Sequence, residues 1–206
     1  MCWQIFIPGI NTNGTVDFRT WLERNLSGKP GKVQFLKHLT PVEKPSFVFL
    51  SETISSYKKM EVLCKKLEFD SFLAVEPQGK NGGIAMFWKT GDKVDLQSFS
   101  RLHIDVIVSS NVKPDWRLTG IYGEPARANR HKTWDLIRNL ARGANLPWCL
   151  VGDFNNVISQ ADKKGGSQYP NYLIDGFNSC LQDSHLHDLE LVGHQYIWEK
   201  RWNTEH

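Results

Sequence analysis

Between Ser71 and Gly123 the chain packs five strand-like runs into about fifty residues: "SFLAVEP" (71–77), "GGIAMFWK" (82–89), "DKVDLQSFS" (92–100), "HIDVIVSS" (103–110) and "DWRLTGIYG" (115–123). The links between them are short and contain Gly, Pro or Asn. A parallel pair needs a crossover of a dozen or more residues, so these runs are expected to pair antiparallel. On either side of the block the hydrophobic period changes. "SFVFLSE" (46–52), preceded by Pro45, is a near-continuous apolar run and reads as a buried strand. "SSYKKMEVLCKKLEF" (55–69) places Met60, Leu63, Cys64 and Leu67 at helical spacing with lysines on the other face. Downstream, "ANRHKTWDLIRNLARG" (128–143) reads as a helix with Trp134, Ile137 and Leu140 or Ala141 inward and Gly143 as its stop. "PWCLVGD" (147–153) is a second buried strand, "NYLIDGFNSCLQD" (171–183) a helix and "HQYIW" (194–198) a last strand. The order β, α, four or five β, α, β, α, β predicts two packed sheets covered by helices. In the first forty residues, "QIFIPGINTNG" fits a strand and turn, and "GKVQFLKHL" a helix starting near Pro30.

The 206 residues fit one large domain, since no linker divides them, and 40% hydrophobic residues supply a core. Eight Trp scatter without a period, which excludes a repeat array. A net charge of +3 tolerates a polyanionic partner without requiring one. Cys2, Cys64, Cys149 and Cys180 lie far apart with no CxxC pair, which argues against a zinc site and for free thiols in a reducing compartment. Apolar stretches stay under ten residues, so a soluble intracellular protein, nuclear or cytoplasmic, is expected.

Three apolar strands end in polar groups: Glu52 after "FVFLS", Tyr122 after "LTGI", and Asp153 with Asn155 after "PWCLVG". Strand ends are where loops gather side chains over a rigid floor. Any one of these residues alone is more simply the first solvated residue of a loop or a helix N-cap. Converging, two carboxylates make a hard oxygen site suited to Mg²⁺ with retained waters. Lys163 and Lys164, before Gly165 and Gly166, form a basic loop that either touches phosphate or is a solvated surface. Lys58, Lys59, Lys65 and Lys66 read as the solvated face of a helix. The seven His show no HxH or HExxH spacing, and Asp183, His185, His187 and Asp188 are equally a capped helix end. Asn156 is read as the start of a following helical turn.

"FVFLSET", "GKNGGIAMFWK", "LTGIYGEP", "RHKTWDLIRNL", "PWCLVGDFNNVIS", "DKKGG" and "DLELVGHQYIWE" follow one another in the order and spacing of a known pattern. The chain resembles the endonuclease/exonuclease/phosphatase (deoxyribonuclease I-like) superfamily over residues 30 to 202. Within it, the apurinic-type endonuclease domain of plant LINE-type non-LTR retrotransposons is the nearer pattern. The resemblance implies an α/β (α+β) fold: a four-layer sandwich of two mixed, mainly antiparallel sheets flanked by helices, incomplete at the C-terminus. Residues 30–206 would be the partial domain and 1–29 a divergent segment. It further implies Mg²⁺-dependent (or Mn²⁺-dependent) phosphodiester hydrolysis, with DNA nicked as substrate. Glu52 would be the metal-binding glutamate, Tyr122 a hydrogen-bond donor to the scissile phosphate, Asp153 the group that orients or deprotonates water, and Asn155 its partner.

The departures are specific. Where relatives open with a strand motif like "WNCRG", this chain has "TWLERNLSGKPGKVQFLK" (20–37), and Leu22 stands at the Asn position. Ile197 replaces the Thr of an "FTW" motif, and the chain stops at His206 before an "SDH" segment. Weak or lost activity is therefore expected, together with exposed sheet edges or the need for a partner. The alternatives are an inactive retroelement-derived fragment or a nucleic-acid-binding module.

Overall fold

A computed structural model describes the backbone of residues 3–8 and 21–25, and residues 36–37, 40–41 and 44–188 except 80–81, 90, 92, 112, 144 and 163–166. The strands are β1 (Trp3–Pro8), β2 (Trp21–Asn25), β3 (Phe47–Ser51), β4 (Ser71–Val75), β5 (Ile84–Trp88), β6 (Lys93–Ser100), β7 (His103–Ser109), β8 (Trp116–Tyr122), β9 (Trp148–Asp153) and β10 (Leu186–Asp188). The helices are α1 (Tyr57–Lys66), α2 (Arg130–Ala141) and α3 (Asn171–Asp183), with short 3₁₀ turns at Arg127–Asn129 and Gln160–Asp162.

They form a six-stranded sheet in the order β10-β1-β9-β8-β7-β6 and a four-stranded sheet in the order β2-β3-β5-β4. The five closely linked runs do pair antiparallel, but in two sets: β4 with β5 in the smaller sheet, and β6, β7 and β8 in the larger. β8–β9 and β2–β3 are parallel, as a helical or long connection allows.

The burial of alternate side chains explains the layering. Phe47 and Phe49 of β3 and Ile84 and Met86 of β5 face Ile104, Val106, Val108 and Leu118 of the larger sheet, closing the core between the sheets. Gly120 on β8 makes room for this contact: a Cβ there would lie 2.3 Å from the Phe49 ring. The intervening residues Val48, Leu50, Ala85 and Phe87 point outward onto Met60, Leu63 and Cys64 of α1. On the far side, Ile121, Trp148 and Leu150 meet Ile137 of α2 and Phe177, Cys180 and Leu181 of α3. The two outer helices approach closely because Gly176 lies under the Trp134 ring. The result is helix, sheet, sheet, helix: the four-layer sandwich the sequence implied.

Beneath α2, Arg117 grips the buried Asp105 with two 2.8 Å hydrogen bonds, while the Thr119 hydroxyl donates to Asp105 at 2.6 Å. Trp148 Nε1 donates to Thr119 at 2.7 Å, so this buried charge pair is fully partnered by its surroundings.

β1 lies antiparallel beside the strand carrying Asp153, with Trp3 opposite Asp153 and Ile5 opposite Val151, and β10 covers β1. The structure differs from expectation in two places. The cluster 183–188 is more than a helix end, because His187 and Asp188 continue into β10, where backbone pairing with β1 outweighs capping. Asn156 begins no helical turn; its side chain turns back to donate to the Phe154 carbonyl at 3.0 Å, an alternative to helix that Asn readily takes. "HQYIW" lies outside the described residues, as does most of the segment read as a helix from Pro30; Leu36 and Lys37 within it are helical, as are Thr40 and Pro41 just after it.

Candidate active site

The two parallel strands β8 and β9 end in register, which sets Tyr122 directly beside Asp153. Their final residues approach more closely than side chains allow. Gly152 has φ +145°, and a Cβ there would sit 1.8 Å from the Ile121 carbonyl oxygen. A Cβ on Gly123 would lie 2.2 Å from the Phe154 carbonyl oxygen. Glycine is needed at both positions, since the backbones themselves fill the space. The Gly123 amide then donates to the Asp153 carbonyl at 2.6 Å, and the Asn155 side-chain amide to the Gly123 carbonyl at 2.7 Å. Asn155 itself adopts φ +53°, a left-handed conformation that Asn tolerates better than most residues.

Glu52 arrives from the other sheet. β3 ends at Ser51, and Glu52 and Ile54 both take positive φ, +49° and +43°. For the β-branched Ile54 this is a strained backbone. The turn is held by Thr53 N–H on the Gly83 carbonyl (3.1 Å) and Ile54 N–H on the Gly82 carbonyl (3.2 Å). Gly83 is obligatory here, at φ +82° with Thr53 Oγ1 only 2.5 Å from where a Cβ would be. "SET" and "GG" are thus two halves of one device that brings Glu52 over the inter-sheet core.

There the Tyr122 hydroxyl donates to Glu52 Oε1 at 2.7 Å, joining the two sheets at one point. Burial, and then the hydrogen bond to Glu52, hold the Tyr122 phenol well above its ordinary pKa. It therefore stays protonated and acts as a donor, not a base. Asp153 is fully buried; its Oδ1 accepts the Asn155 amide at 2.9 Å, and its Oδ2 has no hydrogen-bond partner among the described residues. Burial pushes the Asp153 carboxyl up to about 6, opposed by the Asn155 amide and by Arg130, and reinforced by the negative charge of Glu52.

A buried acid raised above its unfolded value binds its proton more tightly in the native state, so the contribution of Asp153 to stability is greatest at low pH and is lost as pH rises through about 6. In metal-free protein, Asp153→Asn is expected to stabilise the fold at pH 8 by about 1–3 kcal/mol, and by much less at pH 4. Urea melts of the two proteins at both pH values check this; a pH-independent difference would contradict it.

Four of the expected site residues, Glu52, Tyr122, Asp153 and Asn155, therefore come together; Lys163 and Lys164 lie outside the described residues. Reading the sequence alone missed Arg130 and Tyr169. Arg130, buried at the start of α2, donates to the Tyr169 hydroxyl, which donates in turn to the Asn155 carbonyl at 3.2 Å. Arg130 opens the quoted run "RHKTWDLIRNL", but between Arg127 and Lys132 it reads as one more surface charge, and no sequence signal marks Tyr169.

Among the described residues no group of three or more His, Cys, Asp and Glu gathers. The donors present are carboxylate oxygens, one of them the unpartnered Asp153 Oδ2. That set fits Mg²⁺, which takes one or two carboxylates and keeps water, and does not fit zinc. A cavity of about 750 Å³ lies at the opposite end of β9, lined by Arg142, Pro147, Trp148, Ser184 and His185 among others, away from these groups. No helix among the described residues is long and apolar enough to cross a membrane.

No protein-family model and no curated protein matches the chain. Solved structures do. The AP endonuclease LMAP from Leishmania major superposes with a TM-score of 0.60 at 13% identity, covering 80% of this chain and 66% of that one. The endonuclease domain of TRAS1, a telomere-specific non-LTR retrotransposon, gives 0.60 at 15% identity over 81% of this chain and 71% of that one. An AP endonuclease from Archaeoglobus fulgidus gives 0.62 at 12% identity, over 79% and 69%. The chain thus spans about two thirds of the length of these proteins. With its two mixed sheets between helical layers, it has the α/β fold of these endonuclease structures.

Proposed function

We propose that the chain is built for divalent-metal-dependent hydrolysis of a phosphodiester, with DNA nicked as the substrate. The observation that carries this reading is the meeting of Glu52, Tyr122, Asp153 and Asn155 at the ends of β3, β8 and β9. The endonuclease activity of its structural neighbours supports the same reaction class. The retrotransposon-type endonuclease domain, of the plant LINE kind, is the relative we infer, acting in the nucleus or cytoplasm.

Glu52 is the residue to hold Mg²⁺ (or Mn²⁺), with the Asp153 carboxylate facing the same charge. When bound, the cation supplies charge neutralisation at the phosphate. The remaining work falls to the protein. Asp153, pushed up to about 6, is mostly ionised at neutral pH yet basic enough to take a proton from an attacking water. Asn155 keeps that carboxylate oriented through its backbone amide. Tyr122, held protonated, donates a hydrogen bond from a rigid position between the sheets.

The departures of the sequence from the pattern it resembles suggest a second reading, in which the scaffold binds nucleic acid without cleaving it, although the register sets Leu22 beside Val48 and Asn25 beside Ser51. One experiment separates them. Purified protein incubated with supercoiled plasmid is expected to produce nicked circles with Mg²⁺ or Mn²⁺ and none with EDTA. Cleavage that survives EDTA overturns the metal-dependent reading. Salt-sensitive retention of the plasmid without nicking selects the binding module.

A further inference from the structure

One side chain ties the two ends of the stretch from Asp153 to Tyr169 together. Tyr169, at the far end, is buried among Val157, Leu173 and Ile174 and reaches back to the near end. Its hydroxyl donates to the Asn155 carbonyl at 3.2 Å, with the Asn156 side-chain oxygen at 3.5 Å. Its own backbone is clamped by the Gln160 side chain, which accepts from the Tyr169 amide at 3.1 Å and donates to the Tyr169 carbonyl at 2.6 Å.

Arg130 completes the tie from the other side. Its guanidinium is buried and donates to the Tyr169 hydroxyl; its carbon also lies 5.3 Å from the ring centroid, and Arg127 lies 6.0 Å from the same ring. Burying a guanidinium is costly unless it meets an opposite charge or a full set of acceptors. Arg130 has no salt-bridge partner among the described residues, and its buried Nε has no acceptor among them. Such an arrangement is poor as a stability device. It makes sense as a way to fix Asn155 against Asp153.

We propose that Arg130 and Tyr169 are a positioning pair for this site: Tyr169 holds Asn155 in its left-handed turn so that its amide stays on Asp153, and Arg130 holds the Tyr169 hydroxyl in the donating orientation. The inference rests on the reading of Asp153 and Asn155 as working residues. It assigns function to two residues outside the set at the strand ends. Neither touches the reacting atoms, and both act through Asn155.

Tyr169→Phe tests it, because the ring, its packing and its contacts with both arginines remain and only the hydroxyl is lost. Loss of such a supporting hydrogen bond is expected to lower kcat for nicking about 10- to 100-fold with KM within about twofold. In metal-free protein, hydrogen exchange of the Asn155 amide should speed up about tenfold, since that amide is held only while the loop is closed. Arg130→Lys keeps the charge but not the planar fork, and should reproduce the faster exchange. Wild-type exchange and wild-type kcat in Tyr169→Phe would overturn the proposal. Exchange is read without metal or substrate, so it decides the matter even in a chain without turnover. Asp153→Asn, run in parallel, separates the two levels. Turnover surviving in Asp153→Asn sinks the reading of the site itself; turnover lost there but untouched in Tyr169→Phe, with unchanged exchange, sinks the positioning pair alone.

Discussion

Glu52→Gln is expected to leave the fold intact and to lower metal-dependent nicking on the order of 10²–10⁴-fold. The fold should survive because glutamine still offers an oxygen to the Tyr122 hydroxyl, so the 2.7 Å link between the sheets is kept. What disappears is the negative charge that would hold a hard cation. Asp153→Asn should be comparably damaging for a different reason: asparagine has no basic oxygen for the proton of water. Because the two groups would act as a unit, the double variant should be little worse than either single one. Plasmid nicking at saturating Mg²⁺, with circular dichroism to confirm folding, measures all three. A Glu52→Gln protein that nicks at the wild-type rate would remove Glu52 from the site. Near-additive losses in the double variant would mean that the two carboxylates work independently.

The largest effect on stability is expected from Gly152→Ala. The new methyl would have to occupy a point 1.8 Å from the Ile121 carbonyl oxygen, in a backbone conformation that L-residues rarely adopt. Neither partner can yield, since both are main chain in the middle of the larger sheet. Strain of this kind belongs to the upper range for a single substitution, about 4 kcal/mol or more. For a chain of this size that corresponds to a fall in Tm of roughly 8–16 °C. Gly143→Ala is the matched control: nothing lies within 4 Å of its Cβ position, and its effect should stay within about 0.5 kcal/mol. Thermal melts of the three proteins decide it; equal Tm values for wild type and Gly152→Ala would show that β8 and β9 are further apart than described.

Much of this architecture was legible because its signals are local. The short β-rich runs of β5 to β8 and the helical spacing of Met60, Leu63 and Cys64 report burial directly, and these strands begin and end within two residues of the runs while the helix falls inside its segment. The polar residues at the ends of β3, β8 and β9 were visible for the same reason: each breaks an apolar run. What remained hidden depends on partners far away in the chain. Nothing in "WQIFIP" says that it will lie beside β9, or in "LHD" that it will lie beside "WQIFIP". Tyr169 and Arg130 were equally silent, since an aromatic in a loop and an Arg at a helix start acquire meaning only when they meet. The division of the five tight runs between two sheets was also invisible, because β5 and β6 read like any other hairpin partners.

The place of β1 carries a consequence for how the protein comes to be. Trp3–Phe6 pairs with Leu150–Asp153, so β1 must wait for a strand made nearly 150 residues after it. At ordinary synthesis rates of about 5–20 residues per second, that wait is roughly 7–30 seconds, during which the N-terminal strand has no place in the larger sheet. Contacts so distant along the chain close late and slow folding. The strand that carries Asp153 is therefore made after both of its neighbours, β1 and β8, and the site at its tip forms only once all three are present.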